Sequence, residues 1–125
     1  MKDKSTMKKI LVVDNDIDIL NVVKLMLTYH DYVVKTTSKW QNISQTIKTF
    51  IPDLILLDID LDGADGGDIC KKIKQSTEIP QQLPVILFSC HYMPEEYLKA
   101  CDAQGFLAKP FETSYLLKLI KHNLN

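Results

Sequence analysis

Five short apolar runs alternate with segments of helical periodicity, and this alternation restricts the fold of the chain more than any other feature. Several of the runs are apolar without interruption, and all are short: ILVV (10–13), YVVKTT (32–37), DLILL (53–57), PVILF (84–88) and FLA (106–108). A strand that is apolar on both sides belongs in a parallel sheet covered by helices on both faces. The sequence therefore predicts an α/β fold, a doubly wound five-stranded parallel sheet with five helices.

The segments between the runs carry helix signals. Ser38 is predicted to begin the second helix, because Gln41 three positions later completes a capping-box arrangement. Pro94 suits the first turn of the fourth helix, and Gly105 suits its end. The other three helices are predicted from apolar spacing over residues 17–29, 67–75 and 112–124.

Length and composition limit the classes of protein to consider. The 125 residues suit one domain, which we expect over residues 8–125 after a flexible tail at 1–7. The formal net charge of −1 gives no reason to expect binding to nucleic acid or to an anionic membrane. The basic and apolar stretch KKILVV is cut by Asp14, too early for a signal peptide or a membrane span.

The three cysteines, Cys70, Cys90 and Cys101, lie far apart and form no CxxC or CxxH pair. Their number and spacing indicate neither a disulfide framework nor a zinc site. We expect small buried residues in a reducing compartment, which predicts a cytoplasmic protein.

An acidic segment, DIDLDGADGGD, begins at Asp58 and holds five aspartates in eleven positions. Its first half fits the calcium loop of an EF-hand, D-x-[DN]-x-[DN]-G. That loop also requires a carboxylate at the twelfth position, which here is Ile69, and a helix where this chain has an apolar run. The calcium interpretation is therefore rejected.

Polar residues follow the predicted strands at the points where a parallel sheet places its functional site. They are Asp14, Asn15 and Asp16 after the first strand, Asp58 after the third, Ser89 after the fourth and Lys109 after the fifth. Carboxylate oxygens with few soft ligands nearby suit Mg²⁺. A lysine together with a metal suits the charge of a transferring phosphoryl group.

This set of residues predicts phosphoryl-transfer chemistry in which an aspartate is the acceptor. The carboxylate of Asp58 can form an aspartyl-phosphate, and the hydroxyl of Ser89 can donate a hydrogen bond to a phosphoryl oxygen. The chain contains neither a P-loop nor a GxGxxG motif, so a bound nucleotide donor is not expected.

Four motifs, ILVVDND, PDLILLDIDLDGADGGDIC, PVILFSC and GFLAKPF, resemble in this order the response-regulator receiver domain of two-component signalling, with its flavodoxin-like fold. The resemblance covers nearly the whole chain. It implies an acceptor at Asp58, a Mg²⁺ site, a conserved hydroxyl and lysine, a switch pair and two dephosphorylation-tuning positions. The Mg²⁺ ligands would be Asp14, Asn15, Asp58 and the backbone carbonyl of Asp60. The conserved hydroxyl and lysine would be Ser89 and Lys109, and the switch pair would be Ser89 and Phe106. The two tuning positions would be Asp60 and His91.

The resemblance also implies partners and a cis Lys109–Pro110 bond. A histidine kinase or histidine phosphotransfer protein would donate the phosphoryl group, and a downstream protein would bind the fourth helix, fifth strand and fifth helix. The protein would catalyse only its own phosphorylation and dephosphorylation. Because the sequence stops after the last helix, we expect a stand-alone receiver of the chemotaxis type; whether it forms a homodimer is left open.

Three residues depart from the family pattern. Asn15 stands where an acidic metal ligand is usual, and its amide oxygen brings no charge, so Mg²⁺ should bind more weakly. Asp62 replaces a common proline after the acceptor. Cys90 occupies a position that usually holds alanine or glycine.

Two alternatives remain at this stage. LILLDIDLDG also resembles the nucleophile motif of haloacid dehalogenase phosphatases, but their acidic pair comes after the lysine, and Glu112 is the only acidic residue beyond Lys109. The second alternative is a receiver-like interaction module that no longer accepts phosphate, which the neutral Asn15 at the metal position would indicate.

Overall fold

The computed structural model describes residues 3–124 of the chain. Lys4–Thr6 form one turn of 3-10 helix. The predicted flexible tail at 1–7 lies partly outside the described residues, and both it and the domain boundary at residue 8 stay predictions.

Five parallel strands form one sheet in the order β2-β1-β3-β4-β5. Their bounds are β1 Lys9–Val13, β2 Val33–Thr37, β3 Leu54–Asp58, β4 Val85–Ser89 and β5 Gly105–Ala108. Each strand is followed by the helix of the same number: α1 Ile17–Tyr29, α2 Ile43–Phe50, α3 Gly66–Gln75, α4 Glu95–Cys101 and α5 Thr113–Asn123. The predicted fold class is confirmed. Successive strands are added on one side of β1 up to β2 and on its other side from β3 onward, so the switch in strand order lies between β1 and β3. A ligand crevice is expected at this point.

The central strands are buried on both sides, as their uninterrupted apolar sequences predict. Alternate residues of β1 face opposite layers: Leu11 and Val13 pack in the core beneath α2 and α3, whereas Ile10 and Val12 pack in the core beneath α1 and α5. Burying each such side chain contributes on the order of 1.5–3 kcal/mol before the cost of ordering the chain. None of the helices within residues 3–124 is long and apolar enough to span a lipid bilayer.

The predicted start of the second helix at Ser38 is wrong. A 3-10 turn, Trp40–Asn42, comes first, and α2 begins only at Ile43. The backbone here is taken up by a turn, because the Thr37 hydroxyl accepts a hydrogen bond from the Lys39 amide at 3.2 Å. The capping-box pattern at Ser38 therefore does not form a helix start.

The predicted bounds of the fourth helix also need correction. Pro94 is the residue before the helix rather than a member of its first turn, and Asp102 ends the helix in the left-handed conformation with φ 58°. Aspartate tolerates this conformation because its short polar side chain bonds locally. Gly105 instead begins β5, where α5 packs so closely that a Cβ would lie 3.2 Å from Leu119 Cδ1.

Gly66 lets α3 begin directly against the end of β3, and this contact yields a stability prediction. A Cβ at residue 66 would overlap the carbonyl oxygen of Asp58 and lie 2.7 Å from Ile59 Cα. We expect Gly66→Ala to lower the free energy of unfolding in urea by roughly 1–3 kcal/mol. The matched control is Gly105→Ala, whose Cβ would come closest to a flexible leucine end and which should cost about 1 kcal/mol or less. Equal stability of the Gly66 variant and the wild type would contradict the prediction.

Candidate functional site

Three polar residues are buried at the carboxyl ends of the central strands of the sheet. Asp14 follows β1 and is 0% exposed, Asp58 ends β3 and is 2% exposed, and Ser89 ends β4 and is 0% exposed. Burying a charged group is costly unless it is paired, so their position calls for an explanation beyond packing. The sheet order brings together these three strand ends, as the sequence predicts.

Lys109 follows β5 and supplies the cation. Its Nζ lies 2.8 Å from Asp14 Oδ2 and 3.4 Å from Asp58 Oδ2. The same ammonium lies 4.5 Å from the centroid of the Phe88 ring, which encloses it from the sheet side. The Lys109–Pro110 peptide bond is cis, as the resemblance implies. One ammonium thus serves two buried carboxylates, which leaves a net negative charge in the pocket.

Burial and the neighbouring charges together shift the pKa values of Asp58 and Lys109. Burial raises the pKa of Asp58 to about 6, with a further rise from the charge of Asp14, against the lowering effects of the Asp60 amide and Lys109. Burial alone would lower the pKa of Lys109, but its hydrogen bond to Asp14 and the charges of Asp58 and Asp14 together raise it. A pocket of oxygen donors with excess negative charge fits a hard divalent cation.

The two residues after Asp14 differ in what they do. The Asp16 amide donates to Asp14 Oδ1 at 2.8 Å, which orients the buried carboxylate. The Asp16 carboxylate caps α1 by accepting from the Asp18 amide at 2.9 Å. Asn15 lies between Asp14 and Asp16 and is exposed at the rim. Its proposed role as a metal ligand stays a prediction.

The acidic segment after β3 folds as a short antiparallel hairpin, in which Asp60–Leu61 pair with Ala64–Asp65. Gly63 makes the turn with φ +79°, which suits glycine. The Asp60 amide donates to Asp58 Oδ1 at 3.1 Å, so the hairpin helps to hold the buried carboxylate. The apolar patterning of the sequence did not indicate this hairpin.

Ser89 is bonded to Asp60 rather than to Asp58. Its hydroxyl donates to Asp60 Oδ2 at 2.8 Å and accepts from the His91 amide at 3.0 Å. His91 Nε2 lies 3.9 Å from the same Asp60 oxygen. The two positions predicted to tune dephosphorylation are therefore neighbours beside Ser89, and that tuning role stays a prediction.

Sequence reasoning missed a contact between the hairpin and α4. The Tyr97 hydroxyl lies 2.9 Å from Asp65 Oδ1 and 2.8 Å from Oδ2, while Asp65 also caps α3 by accepting from the Asp68 amide. The only tryptophan, Trp40, likewise donates to the carbonyl of Asp62 in the hairpin turn at 2.9 Å. These partners lie 32 and 22 residues apart, and no local pattern indicates such pairs.

The structure also places Phe106 and the three cysteines. Phe106 is half-buried on β5 and packs against the core that includes α3 and α4. Cys70 and Cys101 are buried as expected, but Cys90 is exposed, so the prediction of three buried thiols is wrong. Cys90 is the first residue beyond β4, all of whose residues are buried.

Comparison with known proteins gives one consistent family. The model of the response regulator receiver domain matches residues 10–121. The nisin biosynthesis regulatory protein NisR of Lactococcus lactis is 32% identical over 123 residues, covering 93% of this chain and 50% of its own length. The response regulator protein GraR of Staphylococcus epidermidis is 26% identical, covering 87% of this chain and 48% of its own. The chain therefore spans about half the length of the curated relatives it matches.

A solved structure agrees with the sequence matches. The chemotaxis protein CheY4 of Vibrio cholerae superposes with a TM-score of 0.87 at 26% identity, covering 95% of this chain and 100% of the other. These matches do not favour the two alternatives, the haloacid dehalogenase phosphatase and the interaction module that accepts no phosphate.

The raised pKa of Asp58 predicts a specific pH dependence of stability. Because its pKa rises from 3.8 in the unfolded chain to about 6 in the fold, the folded chain binds this proton more tightly. The free energy of unfolding therefore falls as pH rises through that window and stays lower above it. Asp58→Asn removes the loss and should be more stable than the wild type by about 1–3 kcal/mol at neutral pH, and by much less near pH 4.

Urea unfolding at both pH values, with a chelator to remove divalent ions, measures this difference. Asp62→Asn neutralises an exposed carboxyl of the same loop and should follow the wild-type profile. A stability difference between Asp58→Asn and wild type that does not change with pH would show that Asp58 ionises normally.

Proposed function

Because the chain belongs to the response regulator receiver domain family, we propose that Asp58 is its phospho-acceptor and receives a phosphoryl group from a phosphohistidine. Phosphorylation on aspartate is the general function of this family. The observation that carries the assignment is the Lys109 ammonium, which lies 2.8 Å from Asp14 and 3.4 Å from Asp58 at the carboxyl edge of the sheet. The donor would be a histidine kinase or a histidine phosphotransfer protein.

The chemistry follows from the groups at the pocket. A carboxylate oxygen of Asp58 attacks phosphorus, a P–O bond forms, and the P–N bond of the donor breaks. The donor nitrogen leaves with the bonding electrons and takes a proton from solvent. The pKa of Asp58, about 6, keeps its carboxylate mostly ionised at neutral pH. Lys109 offsets the negative charge of the transferring group from a fixed position, which requires no rearrangement during the reaction.

Asp14, Asn15, Asp58 and the backbone carbonyl of Asp60 would hold Mg²⁺. The fit rests on two buried carboxylates that share one ammonium and therefore leave a negative charge unbalanced. When bound, Mg²⁺ supplies positive charge beside the phosphoryl oxygens as negative charge develops on them. Asn15 contributes a neutral oxygen where the family usually contributes a charge, so this protein should need a higher Mg²⁺ concentration.

The proposed switch starts from the hydrogen bond between Ser89 and Asp60. To donate to a phosphoryl oxygen on Asp58, the Ser89 hydroxyl must leave Asp60 Oδ2, to which it donates at 2.8 Å. Ser89 pairs with Ala108 of β5, two residues beyond Phe106. Phe106 is half-buried against the core that includes α4, so part of the residue is still exposed to solvent. The expected output surface is therefore α4, β5 and α5, where a downstream protein would bind.

The donor would dock on α1, which borders the same edge. Val22 and Leu25 are 64% and 76% exposed on this helix. Val22 also lines an apolar groove that includes Lys109 and Phe111, so the groove is continuous with the phosphorylation site. A phosphohistidine domain covering this groove would bring its histidine to Asp58.

We place this exchange in the cytoplasm and limit catalysis by the chain itself to gain and loss of its own phosphoryl group.

The acceptor assignment predicts where phosphoryl mass appears. Incubation with acetyl phosphate and Mg²⁺ should add one phosphoryl group to the wild type, as measured by intact mass. Asp58→Asn lacks the nucleophile and should gain no mass while keeping its circular dichroism spectrum. Asp62→Asn, an exposed aspartate of the same loop, should be labelled like the wild type. Labelling of Asp58→Asn at the normal rate would move the site elsewhere.

The same experiment on the wild type decides whether the chain accepts a phosphoryl group at all. If it gains no phosphoryl mass at high Mg²⁺ and does not bind beryllofluoride, the chain is a receiver-like interaction module that takes no phosphate.

The role of Asn15 predicts the effect of restoring the usual charge. Asn15→Asp should tighten Mg²⁺ binding by roughly tenfold, which corresponds to about 1.4 kcal/mol, because a carboxylate replaces a neutral amide at the metal. Trp40 is bonded to the hairpin turn next to Asp58, so its fluorescence should report the titration. Gln82→Glu adds the same charge in an exposed turn before β4, away from the carboxyl edge, and should leave the affinity unchanged. An unchanged affinity in Asn15→Asp would exclude Asn15 from the metal site.

A further inference from the structure

Asp60, Cys90 and His91 form a second cluster of metal-ligating side chains on the open rim of the sheet. The three residues are exposed, and one ligand atom from each lies within 4.8 Å of the others. We propose that this cluster is a binding site for a divalent transition-metal ion of the zinc class, separate from the proposed Mg²⁺ site. Neither the family match nor the proposed phosphorylation requires such a site.

The three ligands are held on two different elements. Asp60 lies in the hairpin after β3, and its backbone pairs with Asp65. Cys90 and His91 directly follow β4. Ser89 joins the two sides, because its hydroxyl donates to Asp60 Oδ2 at 2.8 Å and accepts from the His91 amide at 3.0 Å. His91 Nε2 already lies 3.9 Å from Asp60 Oδ2, so the folded chain brings the ligands together before any ion binds.

The donor set selects a different ion from the one expected at Asp58. A thiolate, an imidazole and a carboxylate are the three ligand types that zinc takes in proteins. Mg²⁺ takes oxygen ligands and has little affinity for sulfur. Tetrahedral Zn²⁺ keeps its ligand atoms about 3.3–3.8 Å apart, as its bond lengths require. Closing the cluster from within 4.8 Å needs a movement of about 1 Å, which exposed side chains can make by rotation.

The two sites share residue 60 but use different atoms. The proposed Mg²⁺ site takes its backbone carbonyl, whereas the zinc-class site takes its carboxylate. Asp14 and Asp58 are buried and lie against the Lys109 ammonium, while the second cluster faces solvent. Three protein ligands leave one coordination position for water. The exposure of Cys90, which contradicted the sequence expectation, is what makes its thiol available.

Co²⁺ tests the site, because a thiolate bound to tetrahedral Co²⁺ gives a charge-transfer band in the near ultraviolet. The full chain, with excess Mg²⁺ present, should develop this band with one equivalent of Co²⁺, and Zn²⁺ should remove it. Cys90→Ser should abolish the band. His91→Gln should weaken binding by more than about tenfold, since groups that only orient a metal ligand are already worth ten- to hundredfold.

Two controls separate this site from the phosphorylation site. His30→Gln removes another exposed histidine, at the end of α1, and should bind Co²⁺ like the wild type. Asp58→Asn should also keep the band, even if Asp58 proves not to be the acceptor. Absence of the band in the wild type would overturn the proposal. A band that survives in Cys90→Ser, or that excess Mg²⁺ suppresses, would overturn it too, because the ion would then lie elsewhere.

Discussion

Two buried carboxylates share one ammonium in this protein, and this excess of negative charge is the constraint on which the rest of the structure depends. Asp14 and Asp58 both lie within reach of Lys109, which can fully compensate only one of them. A buried ion pair is seldom the most stabilising choice, and an unbalanced one is worse. Burial is the main cause of the raised pKa of Asp58, about 6, and the charge of Asp14 raises it further. A fold that retains this cost keeps a pocket of oxygen donors whose excess negative charge a divalent cation would balance.

The sheet explains how such a pocket can be maintained. Asp14 directly follows β1, and Asp58 is the last residue of β3. The apolar residues that precede them in both strands are buried. The apolar strands cannot slide to expose the carboxylates without exposing their own side chains as well. Lys109 is fixed from the other side by β5 and by the Phe88 ring beneath its ammonium. The stability of the apolar core therefore holds the charged groups together.

How much of this was predictable depends on the range of the interactions. Short apolar runs predicted the five strands, and the positions of Asp14, Asp58 and Lys109 at strand ends predicted their meeting, because parallel strands share one carboxyl edge. The start of α2 was missed because a turn at Thr37 competes with the cap at Ser38. The exposure of Cys90 and the bond from Tyr97 to Asp65 depend on how loops and helices pack, which local patterns do not encode.

The contacts that the sequence did not predict lie between the proposed acceptor Asp58 and the helix α4, which belongs to the expected output surface. In the proposed switch, the Ser89 hydroxyl would exchange the Asp60 carboxylate, to which it donates a hydrogen bond in this structure, for a phosphoryl oxygen on Asp58. Asp60 pairs with Asp65 across the hairpin, and Asp65 accepts the Tyr97 hydroxyl from α4. Spatial continuity alone does not make a signalling route; a route needs an element with two arrangements that the modification biases. In the proposed switch Ser89 would be that element, because its single proton can serve only one acceptor at a time.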